Sequence, residues 1–188
     1  MENQRENGDN VPRNPLNDLY RLGEIERWHI VRMNKPQSVA EHSYFVTLLA
    51  MRLATVIGVP VGKVVHYALL HDAEEAWTGD IPSPVKRLVD KQGIPIKEMM
   101  GDMYIEHPEV LIEYVVKLAD IAEALKYLKV HGSNTKHTQM IAETQKAQLI
   151  EKIKSCRSTW PKFNWSLGEF ELFNFIEGHD ETHIDDYL

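Results

Sequence analysis

Ser38-Val39-Ala40-Glu41-His42-Ser43-Tyr44-Phe45-Val46-Thr47-Leu48-Leu49-Ala50-Met51-Arg52-Leu53-Ala54-Thr55-Val56-Ile57-Gly58 is the stretch that decides the fold class. Its apolar residues recur three and four apart, the spacing of one face of a helix. Ser38 and Glu41 form a capping-box pattern, in which hydroxyl and carboxylate satisfy free N–H groups at a helix start. Gly58 and Pro60 then stop the helix after Ile57. Buried among the apolar positions of this helix stands one polar residue, His42.

Working outward, the helical period continues on both sides. Leu16, Leu19, Tyr20, Leu22 and Ile25 predict a short first helix, and residues 61–77 a third that stops at Thr78-Gly79-Asp80. Pro82 and Pro84 break the chain before a short helix at 85–91. Further helices are expected over 97–104, 108–130, 135–156 and 167–176. Nothing alternates like a strand for more than a few residues, so the chain reads as all-α, a compact single-domain helical bundle. Residues 1–14 read as a flexible segment, 15–176 as the domain and 177–188 as a solvated acidic tail carrying His179 and His183.

Composition narrows the function. The chain has 188 residues and a formal net charge of -7, which speaks against a broad cationic face for nucleic acid. A small anionic substrate would need local cations or a metal to hold it. No apolar run is long enough to span a bilayer and the first residues lack a signal-peptide core, so a cytoplasmic location is expected. The single cysteine, Cys156, excludes an internal disulfide and a cysteine-rich zinc cluster, and reads as a buried thiol.

The chemistry lies in polar residues placed where the helical pattern expects core. Besides His42 these are His71-Asp72, after Ala68-Leu69-Leu70, and Asp120, inside Val115-Val116-Lys117-Leu118-Ala119-Asp120-Ile121-Ala122. A buried carboxylate is costly unless it is paired or bound to a metal. Two imidazoles and two carboxylates sharing one divalent cation account for all four. Such donors suit zinc, iron, manganese or cobalt better than magnesium or calcium. A bound cation lowers the pKa of water to about 7, which makes hydrolysis the natural reaction class.

Glu75, four residues after His71 and three after Asp72, faces the same site and is placed to act as general acid or base. Glu74 is set closer to the helix flank, and Asp80 is available to a substrate hydroxyl. Each residue alone also has a plain packing reading, and Lys117 could neutralise Asp120 as an i, i+3 pair. His66, His107, His131 and His137 read as ordinary surface or packing residues.

The ordered set His42, His71-Asp72 and Asp120 resembles the signature of the HD phosphohydrolase superfamily. Arg27-Trp28, Val39-Ala40-Glu41-His42-Ser43, His71-Asp72-Ala73-x-Glu75, Thr78-Gly79-Asp80-x-Pro82-x-Pro84-Val85-Lys86 and Lys117-x-x-Asp120 narrow this to the YfbR-like 5′-deoxynucleotidases. The resemblance spans residues 16–130. The runs Arg27-Trp28-His29-Ile30-Val31 and Gln37-Ser38-Val39-Ala40-Glu41-His42 are most similar to phage-encoded members, some of which convert dATP to deoxyadenosine and triphosphate.

The resemblance implies that His42, His71, Asp72 and Asp120 hold a divalent metal, zinc, cobalt or manganese. It implies Glu75 as catalytic acid or base, with a possible second metal beside it. Trp28 would press on the sugar where a 2′-hydroxyl would sit, and Asp80 would take the 3′-hydroxyl. Arg27, Lys86 and Lys117 would supply positive charge, and His29 and Ile30 would touch the base. It also implies a homo-oligomer, from dimer to hexamer, and the host cytoplasm for a phage-encoded chain. A deoxynucleoside monophosphate 5′-nucleotidase would share every site residue, and a non-catalytic nucleotide sensor remains the alternative outside enzymes. A cyclic-nucleotide phosphodiesterase lacks its extra histidines here. A di-iron bundle needs two Glu-x-x-His motifs, and Glu26-x-x-His29 supplies one.

Overall fold

The computed structural model describes residues 15–94 and 108–178, so the N-terminal segment, the helix expected over 97–104, His107 and the tail histidines lie outside the described residues. The described residues form helices α1 (Pro15–Tyr20), α2 (Val39–Ile57), α3 (Val61–Leu70), α4 (Glu75–Thr78), α5 (Ser83–Lys91), α6 (Val110–His131), α7 (Lys136–Thr159) and α8 (Trp165–Glu177). A 3-10 turn, Arg21–Gly23, follows α1. Among the described residues there is no strand, and no helix is long and apolar enough to cross a membrane. The fold is all-α.

α6 occupies the centre. Ile112, Val115, Val116, Leu118, Ala119, Ile121, Ala122 and Leu125 bury more than one of its faces. A helix apolar around most of its circumference must be surrounded, and α2, α3, α7 and α8 pack against it. α2 contributes Val46, Leu49, Ala50, Leu53, Ala54 and Ile57 to the same core. Truncating a fully buried leucine such as Leu53 to alanine costs about 2–5 kcal/mol. Cys156 on α7 is a buried free thiol of this core.

α2 starts and stops as its sequence predicts. Ser38 Oγ accepts from the Glu41 N–H at 3.1 Å. The Glu41 carboxylate turns to Lys35 Nζ instead, at 3.0 Å. At the other end Gly58 adopts φ 84°, and its N–H and that of Val59 close on the Ala54 carbonyl. A left-handed residue at this position favours glycine because a Cβ would crowd the backbone.

The third helix differs from expectation. It does not run to Trp77 but ends at Leu70. The ring of His71 takes the Ala68 carbonyl with Nδ1 at 2.8 Å, the acceptor that an unbroken helix would offer to the Asp72 N–H. The chain then tightens. Ala73, Glu75, Ala76 and Trp77 donate to Leu70, Asp72, Ala73 and Glu74, each three residues back. Three residues per turn rather than 3.6 rotate successive side chains differently, and both Glu74 and Glu75 finish buried. Glu74 is therefore not on the flank.

The segment between α1 and α2 is pinned at both ends of its excursion. Arg27 N–H donates to the Gln37 carbonyl and Val39 N–H to that of Ile25. Farther out, Asn34 N–H reaches the His131 carbonyl, and Ser133 N–H that of Arg32. These bonds hang the Arg27–Val31 stretch beside the C-terminal half of α6, whose last turn also packs His131 on Tyr127.

Candidate metal centre and adjoining cavity

Two helices and one tightened turn bring the predicted residues together. His42 comes from the first turns of α2, His71 and Asp72 from the turn after α3, and Asp120 from the middle of α6. Ligand-type atoms of His42, His71 and Asp72 all lie within 4.8 Å of one another. Asp72 Oδ2 stands 3.2 Å from His71 Nε2 and 3.7 Å from His42 Nε2. Asp120 divides its oxygens. Oδ1 is 3.2 Å from His42 Nε2, and Oδ2 accepts from Lys117 Nζ at 2.6 Å. The Lys117 ion pair foreseen from spacing is thus present, and it still leaves one oxygen turned toward the histidines.

The tautomers follow from the partners. His71 Nδ1 faces a carbonyl oxygen and His42 Nδ1 faces the Glu123 carboxylate at 2.5 Å, both pure acceptors. Each Nδ1 therefore carries the proton, and each Nε2 keeps its lone pair. Both Nε2 atoms are buried and make no hydrogen bond. Buried nitrogen lone pairs without donors, converging beside two carboxylates, fit a transition-metal dication such as zinc, cobalt or manganese.

In the metal-free cluster protons and lysines balance the carboxylates. Burial opposes ionisation of Asp72, but His71, Lys86 and His42 hold its carboxyl well below the usual range. Asp120 is likewise held low against burial by Lys117 and His42. For His42, burial and the Arg27 cation favour the neutral ring, yet Asp120 and Glu123 outweigh them and raise its pKa above 6.5. Glu75 is the opposite case. Burial, then the Asp72 charge, push its carboxyl up to about 9 despite Lys86. Lys86 Nζ lies 3.6 Å from Glu75 and 3.8 Å from Glu74, and these acids with Asp72 raise its pKa against burial.

A cavity of about 400 Å³ opens over this cluster. Asp72, Glu75, Lys86, Lys117 and Asp120 line it, together with Arg27, Trp28, His29, Ile30 and Asp80. Arg27 Nε and His29 Nε2 each stand 4.0 Å from a different oxygen of Asp80. Trp28 has φ 70°, a left-handed backbone that a bulky side chain rarely adopts. Every residue given a site role from the sequence therefore borders the cavity, except His42 and His71, which are buried beside Asp72.

Sequence reasoning missed two groups. Gln37 and Glu123 are buried polar residues in direct line with His42. Glu123 follows Asp120 by three residues inside an apolar run, a signal of the same kind as that of Asp120. The facing wall comes from α7, with His137, Met140, Ile141, Thr144, Gln145 and Gln148. His137 is thus a lining residue rather than ordinary surface.

Comparison with known proteins points the same way. Residues 16–91 match the family model described as 5′-deoxynucleotidase YfbR-like. The chain is 29% identical to the dATP triphosphohydrolase of Acinetobacter phage SH-Ab 15497, over 90% of this chain and 95% of that one. It is 32% identical to the dATP triphosphohydrolase of cyanophage S-2L, over 71% of this chain and 82% of the relative. Among solved structures, the cyanophage S-2L HD phosphohydrolase bound to dA and one catalytic Zn2+ ion superposes with a TM-score of 0.66. It is 25% identical and covers 85% of this chain and 92% of that one.

Proposed function

Since the chain belongs to the YfbR-like family of HD-domain phosphohydrolases, we propose that it is a metal-dependent phosphohydrolase converting dATP and water to deoxyadenosine and triphosphate. The observation that carries this reading is the pair of buried, unbonded Nε2 lone pairs beside Asp72, set under a cavity with cationic walls. His42, His71, Asp72 and Asp120 would hold the ion. A dication there supplies Lewis acidity, acidifying water and neutralising phosphate charge.

The chain's own residues then do the following. Trp28 lies against the sugar and leaves no room for a 2′-hydroxyl, Asp80 accepts from the 3′-hydroxyl, and His29 and Ile30 meet the base. Arg27, Lys86 and Lys117 offset the negative charge that builds on the phosphate oxygens. Water adds its oxygen to the α-phosphorus and the bond from that phosphorus to the 5′-oxygen breaks. Glu75, protonated at neutral pH by its raised pKa, gives its proton to the departing 5′-oxygen. The proton released by the water restores it.

The monophosphate 5′-nucleotidase uses the same residues, and the description of the matching family model favours it as the second reading. The names of the phage relatives favour the first. Chromatography of the products from dATP, dGTP, ATP and dAMP, given in parallel to zinc- or cobalt-loaded protein, separates them. Deoxyadenosine and triphosphate from dATP support the proposal. Phosphate from dAMP with dATP untouched replaces it, and silence on all four favours a nucleotide sensor. Assembly into a homo-oligomer belongs to the same proposal, supported by the exposed apolar stripe Tyr44, Phe45, Leu48 and Met51 on α2.

A further inference from the structure

Gln37 is fully buried and Glu123 nearly so, at 0% and 3% exposure. Buried polar side chains are retained only when their hydrogen bonds are met, and here the partners form one line. Trp28 Nε1 donates to Gln37 Oε1 at 3.0 Å. Gln37 Nε2 donates to Glu123 Oε1 at 2.6 Å. Glu123 Oε2 accepts from His42 Nδ1 at 2.5 Å. Arg27 flanks the line, with Nη1 3.4 Å from Gln37 Oε1 and 3.8 Å from Glu123 Oε2.

The line has one polarity. The Glu123 carboxylate only accepts, so the Gln37 amide must turn its NH2 to it and its oxygen to the indole. The same carboxylate keeps the proton on His42 Nδ1 and the lone pair on Nε2. At the far end Trp28 is held with φ 70°, a left-handed conformation that a bulky side chain adopts only where its surroundings impose it. Core filling would require neither the polarity nor the strained indole.

We propose that Gln37 and Glu123 are positioning residues, a hydrogen-bonded strut that sets the Trp28 ring against the sugar and the His42 imidazole against the metal. The sugar half rests on the role given to Trp28 under the proposed function; the His42 half does not. Replacing Glu123 by glutamine puts an NH2 where only an acceptor serves. The charge behind His42 is lost and one oxygen is left for two donors, the His42 N–H and the Gln37 NH2, so the strut cannot stay bonded at both ends.

The test uses the full chain and two readouts, with folding of each variant checked by circular dichroism. Cobalt(II) is titrated by its visible absorption into wild type, Glu123→Gln, Gln37→Met and Trp28→Phe, and the dATP-to-ATP ratio of kcat/KM is measured for each. Glu123→Gln is expected to weaken cobalt affinity about 10- to 100-fold. Gln37→Met, which keeps the bulk, and Trp28→Phe, which keeps an aromatic ring without the N–H, should each lower the ratio about five-fold or more, and the double variant no further. Unchanged cobalt affinity in Glu123→Gln overturns the His42 half. An unchanged ratio in Gln37→Met or Trp28→Phe, or effects that add, overturns the sugar half. A wild type that hydrolyses neither nucleotide removes the functional reading and the sugar half with it, while the cobalt titration still decides the other.

Discussion

His42 Nε2, on α2, lies 3.2 Å from Asp120 Oδ1, on α6, although neither it nor His71 Nε2 makes a hydrogen bond. Two imidazoles whose neutral forms turn a lone pair inward, beside two carboxylates held in their ionised form, are an arrangement that a cation completes.

Asp72→Ala removes the carboxylate shared by both histidines. It is expected to abolish metal retention and turnover together, measured by elemental analysis after dialysis and by nucleotide hydrolysis. Glu75→Gln is expected to keep the metal and lose about 10²–10⁴-fold in kcat. Normal turnover by the glutamine variant would remove Glu75 from the chemistry.

The raised pKa of Glu75 has a consequence for stability. Its folded value of about 9 exceeds the ordinary 4.5, so between these values the folded metal-free protein binds more protons than the unfolded chain. Stability from this group is therefore present below pH 4.5 and lost as pH rises toward 9. In metal-free protein the Tm of wild type should fall relative to that of Glu75→Gln across this window. Parallel Tm curves for the two would contradict the burial of an uncharged carboxyl.

How much of this was legible in the sequence depended on whether a residue's environment follows from local period. His42, His71, Asp72 and Asp120 interrupt apolar helical stretches, so their burial and convergence could be read directly. Glu123 carried the same signal three residues beyond Asp120, but no motif singled it out. Gln37 sits before a helix cap, where no period applies. The break at Leu70 arises from a side-chain bond of His71 to its own helix, and neighbouring propensities do not register such a bond. The α7 wall is polar and largely exposed, and only tertiary placement turns His137, Gln145 and Gln148 into cavity lining.

Trp28→Ala opens the space assigned to the 2′-position. The dATP-to-ATP ratio of kcat/KM is expected to fall about 10-fold or more, the scale of discrimination by one group in a shaped pocket. A ratio equal to wild type would place the sugar elsewhere.

Gly168 on α8 fits against α2, and a Cβ there would come within 2.8 Å of Ile57 Cγ2 and 3.0 Å of Leu53 Cδ1. Gly168→Val is expected to cost about 1–3 kcal/mol in urea unfolding through overpacking. Sugar preference should be unaltered, because this contact lies in the core and not at the cavity. A shift in sugar preference would mean that α8 reaches the site.

The central claim, attack of water at the α-phosphorus of dATP, is tested most directly by hydrolysis in 18O-labelled water followed by mass spectrometry of both products. One 18O in the triphosphate and none in the deoxyadenosine is the predicted result. Label in the deoxyadenosine, or dAMP with pyrophosphate as the products, would contradict it.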